Sequence, residues 1–158
     1  MEDVAAAIRS GGIANIKAGR IKSILAEIEA REDSVDLSRL NKLTDQEVDE
    51  YLRSLPGVGP KTVACVLTFA MGRAAFPVDT HVHRVTKRLG WIAEKTSADQ
   101  AHRVLTPRIP KEIRYELHML LITHGRTICK ATMPLCSECV LLDLCDAGPR
   151  LLSEGIAR

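Results

Sequence analysis

Aromatic residues are scarce in this 158-residue chain, which has two phenylalanines, two tyrosines and one tryptophan, or 3% in total. Segments that alternate β-branched and polar residues, the usual pattern of half-buried strands, are nearly absent as well. No apolar run approaches the roughly 20 residues that a transmembrane helix needs. The acidic start Met1-Glu2-Asp3 is unlike the basic start of a signal peptide. The composition therefore predicts an all-α protein with no membrane span, expected in the cytoplasm.

The chain as a whole also has no large excess of positive or negative charge, since the formal net charge is only +2. The distribution is nevertheless uneven. Residues 1–54 contain 8 Lys and Arg against 11 Asp and Glu, whereas residues 55–158 contain 14 against 9. A basic C-terminal part suits a polyanionic partner, although an ordinary solvated surface would explain the same pattern.

Helical periodicity and capping signals indicate a series of helices. Apolar residues recur at helical spacing over 13–28 after Gly11-Gly12, and the polar segment 31–42 is expected to be a linker. Thr44 and Glu47 form a capping box that predicts a helix to about Ser54. The other predicted helices are a buried helix over 61–71, ended by Gly72; a helix over 79–89, ended by Gly90; and a short helix over 97–105. A last helix is predicted to begin at Pro110, with one stripe along it of Ile113, Leu117, Leu120, Leu121 and His124. The residues after Gly148 are expected to form a loose tail.

Four cysteines lie in one short segment with the spacing Cys-x6-Cys-x2-Cys-x5-Cys, namely Cys129, Cys136, Cys139 and Cys145. Thiolates are soft ligands that suit zinc or an iron–sulfur cluster. In a cytoplasmic protein disulfides are disfavoured, which removes the main competing use of paired cysteines. Zinc is the serious alternative, but zinc sites usually contain two short Cys-x2-Cys units and only the central pair is that short here. The spacing therefore predicts a metal site and favours [4Fe–4S].

The segment Leu55-Pro-Gly-Val-Gly-Pro60 predicts a tight turn, because its glycines and prolines do not suit a helix. Backbone N–H groups at Gly57, Val58 and Gly59, together with the positive end of the next helix, could bind a DNA phosphate. A purely structural turn is the alternative.

Two residues after this turn suit chemistry at a sugar carbon. Lys61 is at a predicted helix N-terminus, where the helix dipole disfavours its charge, and a neutral amine can form a Schiff base. Asp79 is at the start of another helix, where it could accept a proton or stabilise positive charge on a sugar. The simpler interpretations are a phosphate contact for Lys61 and an N-cap for Asp79.

Three motifs in the same order are similar to the endonuclease III family of helix-hairpin-helix DNA glycosylases: Leu55-Pro-Gly-Val-Gly-Pro-Lys-Thr62, Val78-Asp-Thr-His81 and the four-cysteine segment. The resemblance implies that Lys61 is the Schiff-base lysine, that Asp79 is the catalytic aspartate and that the cysteines hold a [4Fe–4S] cluster. It implies a bifunctional glycosylase with abasic-site lyase activity, acting on damaged duplex DNA, with oxidised pyrimidines as the usual substrates. The protein would then be associated with the nucleoid.

The resemblance also implies two helical lobes that meet at a cleft. The expected boundaries are 1–73, with the helix-hairpin-helix at 45–71, and 74–158, with the cluster loop at 129–145. His81, Arg126 and Lys130 are expected DNA contacts, with a polar core position as the alternative for His81. Family members have further helices before the matching segment, so a DNA-binding iron–sulfur module without base excision is the alternative function. The protein is expected to be a monomer.

Overall fold

The computed structural model describes residues 2–9 and 13–158, and within these ranges it contains helices and no strand. The Gly11-Gly12 break predicted from the sequence lies outside them. The α-helices are α1 (Glu2–Ala7), α2 (Ala14–Glu32), α3 (Asp45–Arg53), α4 (Pro60–Cys65), α5 (Thr80–Arg88), α6 (Ala98–Leu105), α7 (Arg114–Thr127) and α8 (Gly148–Ser153). The prediction of an all-α fold is confirmed.

The chain separates into two compact units, residues 1–59 and residues 60–158. Helix α4 contacts α6, which groups it with the second unit. The lobes predicted with a boundary after residue 73 are a different division of the chain, and they stay a prediction. No helix in the described ranges is long and apolar enough to cross a membrane.

The first unit shows how local capping sets the helix ends. Thr44 caps α3, with its side chain accepting from the Glu47 N–H at 3.3 Å while the Glu47 carboxylate accepts from the Thr44 N–H at 2.7 Å. This confirms the predicted capping box. The linker prediction for 31–42 is wrong in part, because α2 continues to Glu32 and Ser38–Lys42 forms a 3₁₀ helix. The Arg39 guanidinium pairs with Glu32 and lies 4.8 Å from the centre of the Tyr51 ring.

The core of the second unit forms around α5 and α7, which pack against each other. Gly125 permits this approach, since a Cβ there would lie 2.9 Å from the His81 Cβ and 3.3 Å from Val85 Cγ2. The buried apolar cluster consists of Phe76, Val78, Val82, Val85, Ile92, Ala101, Leu105, Ile109 and Leu121. Phe76 and Val78 belong to the segment that leads into α5, so this segment is part of the core.

Several predicted details of the second unit are wrong. The helix predicted over 61–71 is α-helical only to Cys65 and continues as a π-helix over Val66–Ala70, which leaves Phe69 50% exposed. On α7, Leu121 is buried, whereas Ile113 and Leu120 of the predicted stripe are exposed. The helix was predicted to begin at Pro110, but the chain enters α7 through a separate 3₁₀ turn (Lys111–Ile113), so Ile113 precedes the helix.

The residues after Gly148 are not a loose tail. They form α8, in which Leu151 is buried. The backbone of Arg158 then donates to the Pro134 carbonyl at 2.9 Å and accepts from the Ser137 N–H at 2.8 Å. The C-terminal segment is therefore hydrogen-bonded to the cysteine-rich loop, a long-range pairing that local composition does not indicate.

Candidate functional site

The cysteine-rich loop begins where α7 ends and folds through two short 3₁₀ turns, Cys136–Glu138 and Leu142–Leu144. The turns are closed by backbone bonds from the Cys139 N–H to the Cys136 carbonyl and from the Cys145 N–H to the Leu142 carbonyl, each 3.1 Å. As a result, all four cysteines line one small cavity whose other walls are mostly apolar: Val85, Leu89, Ile128, Pro134, Leu135, Leu142 and Leu151.

The four thiols are close enough to influence one another. Burial raises the pKa of the Cys136 thiol, and the charges of Cys129, Cys145 and Cys139 raise it further, while Arg88 lowers it. Arg88 donates to the Cys129 sulfur at 3.3 Å and to the Lys130 carbonyl at 2.7 Å. The Arg88 cation thus lies beside the cysteines and opposes the rise in the pKa of Cys136.

The chemistry of the four cysteines, although not their spacing in the structure, suits the predicted cluster. Four cysteine sulfurs around one apolar cavity are the ligands that iron–sulfur clusters use. Gly148 contributes to the fit, because a Cβ there would lie 2.7 Å from Leu142 Cδ1 and 3.5 Å from the Cys145 sulfur. Within the described ranges no group of three or more His, Cys, Asp or Glu side chains is arranged to hold a metal ion. The metal itself stays a prediction.

Asp79 stands at the end of a buried segment that is neither helix nor strand. Phe76, Pro77 and Val78 are buried, whereas Asp79 is half-buried and begins α5 as its N-cap. Its Oδ1 accepts from the Val82 N–H at 2.8 Å. The simpler interpretation of Asp79, an N-cap, is therefore an observed feature, and it fixes one carboxylate oxygen.

Lys61 is exposed in the first turn of α4. Its charge and that of Asp79 both affect the buried side chain of His118. Burial lowers the pKa of the His118 imidazole; the Pro77 carbonyl and the Asp79 carboxylate partly oppose this, and the Lys61 ammonium adds to the lowering. The charges of Lys61 and Asp79, which belong to different helices, therefore both affect the pKa of His118. Their role as a catalytic pair stays a prediction.

The hairpin before Lys61 has the expected turn, with Gly57 in the left-handed region at φ 74°. A Cβ on Gly57 would lie 3.4 Å from Arg20 Cδ. The Val58 N–H donates to the Leu55 carbonyl at 3.3 Å and so closes the turn. The prediction had this N–H available to a phosphate, and in the structure it is used within the turn. Outward N–H donors at Gly57 and Gly59 stay a prediction.

The remaining predicted DNA contacts are near the cysteine-rich loop or on the helix that packs beside it. Arg126 and Lys130 are exposed. The half-buried His81 has its Nδ1 3.1 Å from Arg84 Nη2. His124, expected to be structural, places Nε2 3.7 Å from the Cys139 sulfur, and burial lowers its pKa.

Sequence reasoning missed the arginines that join α5 to the loop. Arg84 donates to the Gly125 carbonyl at 2.7 Å and to the Cys129 carbonyl at 3.0 Å, and Arg88 contacts the Cys129 sulfur. Their spacing of four residues puts both on one face of a helix, and this could have been predicted from the sequence. Nothing in the sequence, however, indicates that this face meets the loop some 40 residues later.

Comparison with known proteins places this geometry in context. The profile of the HhH-GPD superfamily of base excision DNA repair proteins matches residues 1–111. A protein of Arabidopsis thaliana that is named as a DNA glycosylase is 40% identical over 133 residues, covering 84% of this chain and 43% of the relative. Endonuclease III of Sulfolobus acidocaldarius is 34% identical over 139 residues, covering 88% of this chain and 60% of the relative.

A solved structure is also similar. The non-covalent complex of endonuclease III with DNA superposes with a TM-score of 0.79 at 36% identity, covering 96% of this chain and 67% of that one. The chain thus spans 43% and 60% of the two curated relatives and about two thirds of the solved protein.

Proposed function

Because the chain belongs to the HhH-GPD superfamily of base excision DNA repair proteins, we propose that it is a bifunctional DNA glycosylase and abasic-site lyase. Its substrate would be duplex DNA with damaged bases, oxidised pyrimidines in particular, or with abasic sites. It would act in the cytoplasm at the nucleoid, as a monomer. The observation that supports this best is the similarity to the DNA complex of endonuclease III, at a TM-score of 0.79 and 36% identity, in a chain that fixes the Asp79 carboxylate at the start of α5 through the Val82 N–H.

The proposed chemistry uses the two residues in sequence. The damaged nucleotide must leave the base stack before its sugar can be reached. Once it has lost a proton, the Lys61 amine attacks the anomeric carbon, the bond to the base breaks, and the base leaves with the bonding electrons. Asp79 stabilises the positive charge that develops on the sugar and accepts a proton from the attacking nitrogen.

Strand cleavage follows from the same covalent bond. Opening of the sugar ring converts the Lys61 adduct into a Schiff base, which acidifies the proton on the neighbouring carbon. Loss of that proton forms a carbon–carbon double bond and expels the 3′ phosphate, so the strand is nicked by β-elimination. Hydrolysis of the Schiff base releases Lys61.

The cysteine-rich loop is proposed to have a structural role. Cys129, Cys136, Cys139 and Cys145 would hold the [4Fe–4S] cluster, whose metal–thiolate bonds would close the loop. Arg126 and Lys130 are exposed at its start, where cations suit the phosphate backbone. Gly57, Val58, Gly59 and His81 are proposed to contact DNA as well, Val58 by a group other than its N–H.

Borohydride trapping tests the proposed chemistry. Protein incubated with duplex DNA containing one abasic site and then reduced should form a covalent adduct. The adduct should be lost in Lys61→Gln and kept in Lys95→Gln, a matched change at an exposed lysine. Binding of the duplex without an adduct at any protein concentration would refute the enzyme and favour the DNA-binding module without base excision. A brown protein with broad visible absorption supports the cluster, whereas a colourless protein containing zinc would refute it.

A further inference from the structure

Two buried histidines hold the segment that leads to Asp79. The His118 side chain on α7 is hydrogen-bonded through Nδ1 to the Pro77 carbonyl at 2.9 Å. On α6, His102 Nε2 is 3.3 Å from the Val78 N–H. Both histidines are largely buried, with 2% and 9% of their surface exposed.

The backbone groups that these two ring nitrogens contact determine whether each nitrogen carries a proton. A carbonyl can only accept, so His118 must have its proton on Nδ1; an N–H can only donate, so His102 must leave Nε2 unprotonated. The two contacts are consecutive along the chain, on Pro77 and Val78, and Asp79 follows directly. Each contact pairs a buried backbone group that would otherwise cost free energy.

The surroundings keep His118 neutral. Its ring packs against Phe76, with centroids 6.2 Å apart, and against Phe69 at 5.7 Å. The charged groups that face it are Asp79 at the start of α5 and Lys61 on α4, which act in opposite directions. Burial lowers its pKa, in keeping with a ring that holds its position as a neutral donor.

We propose that His118 and His102 are positioning residues that clamp Pro77 and Val78 and thereby fix Asp79 for its reaction. The consequence for catalysis rests on the function proposed above; the clamp itself does not. With Pro77 and Val78 held, the Asp79 backbone can only pivot at its junction with α5, and the bond from the Val82 N–H to Oδ1 sets the side chain. Loss of either histidine contact should therefore displace the Asp79 carboxylate, although neither substituted residue is hydrogen-bonded to it.

Matched substitutions separate the hydrogen bond from the packing. His118→Leu removes the donor, whereas His118→Asn keeps an N–H near the Nδ1 position. His102→Leu removes the acceptor, whereas His102→Gln keeps an oxygen near the Nε2 position. Because displacements of about 1 Å can cost up to about 100-fold in rate, we expect the leucine variants to slow adduct trapping about tenfold or more. The Asn and Gln variants should recover most of that loss.

A double variant tests whether the histidines act through Asp79. In an Asp79→Asn background, His118→Leu should slow trapping no further, although it should still lower the urea midpoint. An equal slowing in both backgrounds would overturn the proposal, as would an Asn variant no faster than its Leu counterpart at the same stability.

Hydrogen exchange gives a readout that does not depend on activity. The Val82 amide should exchange faster in His118→Leu than in His118→Asn, because it is protected by the Asp79 cap. If the wild-type protein forms no adduct, the proposed function is refuted. The comparison of Val82 exchange between the two variants still tests whether the histidines hold the segment before Asp79. Equal Val82 exchange in the two variants would refute the clamp whatever the activity.

Discussion

Arg114 offers the sharpest test of how the loop before Asp79 is held. The side chain is only 8% exposed at the start of α7. Its guanidinium donates from Nε to the Ile109 carbonyl at 3.0 Å, from Nη2 to the Thr106 carbonyl at 2.6 Å, and from Nη1 to the Ala74 carbonyl. One cation thus binds three backbone carbonyls on two segments of the second unit, 106–109 and Ala74.

The expected loss of unfolding free energy on Arg114→Met follows from the carbonyl groups that would be left unpaired. Arg114→Met keeps most of the apolar stem and removes every donor. The bond to Ile109 is buried, whereas those to Ala74 and Thr106 are part-buried, so water can partly replace the donor there. A buried carbonyl without a partner costs about 1–3 kcal/mol, which predicts a loss of at least about 1 kcal/mol. The total stability of a small domain is about 5–15 kcal/mol, so this loss should be measurable. Arg114→Lys, with one ammonium in place of the planar fork, should fall between Met and wild type.

Urea unfolding followed by Trp91 fluorescence measures the effect, because the chain has a single tryptophan and it lies in the same unit. Arg103→Met is the matched control, since Arg103 is exposed on α6. A shift in the free energy of unfolding for Arg114→Met no larger than that of Arg103→Met would refute the reasoning.

Two further predictions concern pH and the loop. Because burial lowers the pKa of His118 below its ordinary 6.5, the unfolded chain binds this proton more readily, so its contribution to stability is present above pH 6.5 and lost as the pH falls. The stability advantage of wild type over His118→Asn should therefore shrink between about pH 7.5 and pH 5.5 in urea titrations; a constant advantage would contradict this. Cys129→Ser should lower both the urea midpoint and DNA affinity, unlike Cys65→Ser, and an unchanged value of either would count against the structural role of the loop.

The features that the sequence predicted correctly are those set by neighbouring residues. The capping box at Thr44 and the tight turn at Gly57 depend on groups within about four residues of each other. The four cysteines line one cavity for the same local reason, since the loop that holds them lies within 129–145, while the metal stays a prediction. Here the residue types alone restrict both the backbone and the chemistry.

The features that it missed depend on pairings between distant segments. His118 was not singled out, because its partner is a carbonyl on Pro77, 41 positions earlier. The tail after Gly148 was expected to be loose, although Arg158 pairs with Pro134 and Ser137. A backbone carbonyl is the same in every residue, so a side chain that recognises one leaves no complementary signal at the partner position.

Asp79 shows why the simpler and the catalytic interpretations of one residue need not compete. An N-cap must accept from the amide three residues on, and Asp, Asn, Ser or Thr would all serve. Here Oδ1 makes that contact with Val82, which turns the carboxylate and leaves Oδ2 as the oxygen for a reacting group. The cap therefore removes the rotational freedom that a catalytic carboxylate would have to lose before reaction. Of the residues that could cap α5, only aspartate also supplies the negative charge that the proposed chemistry requires.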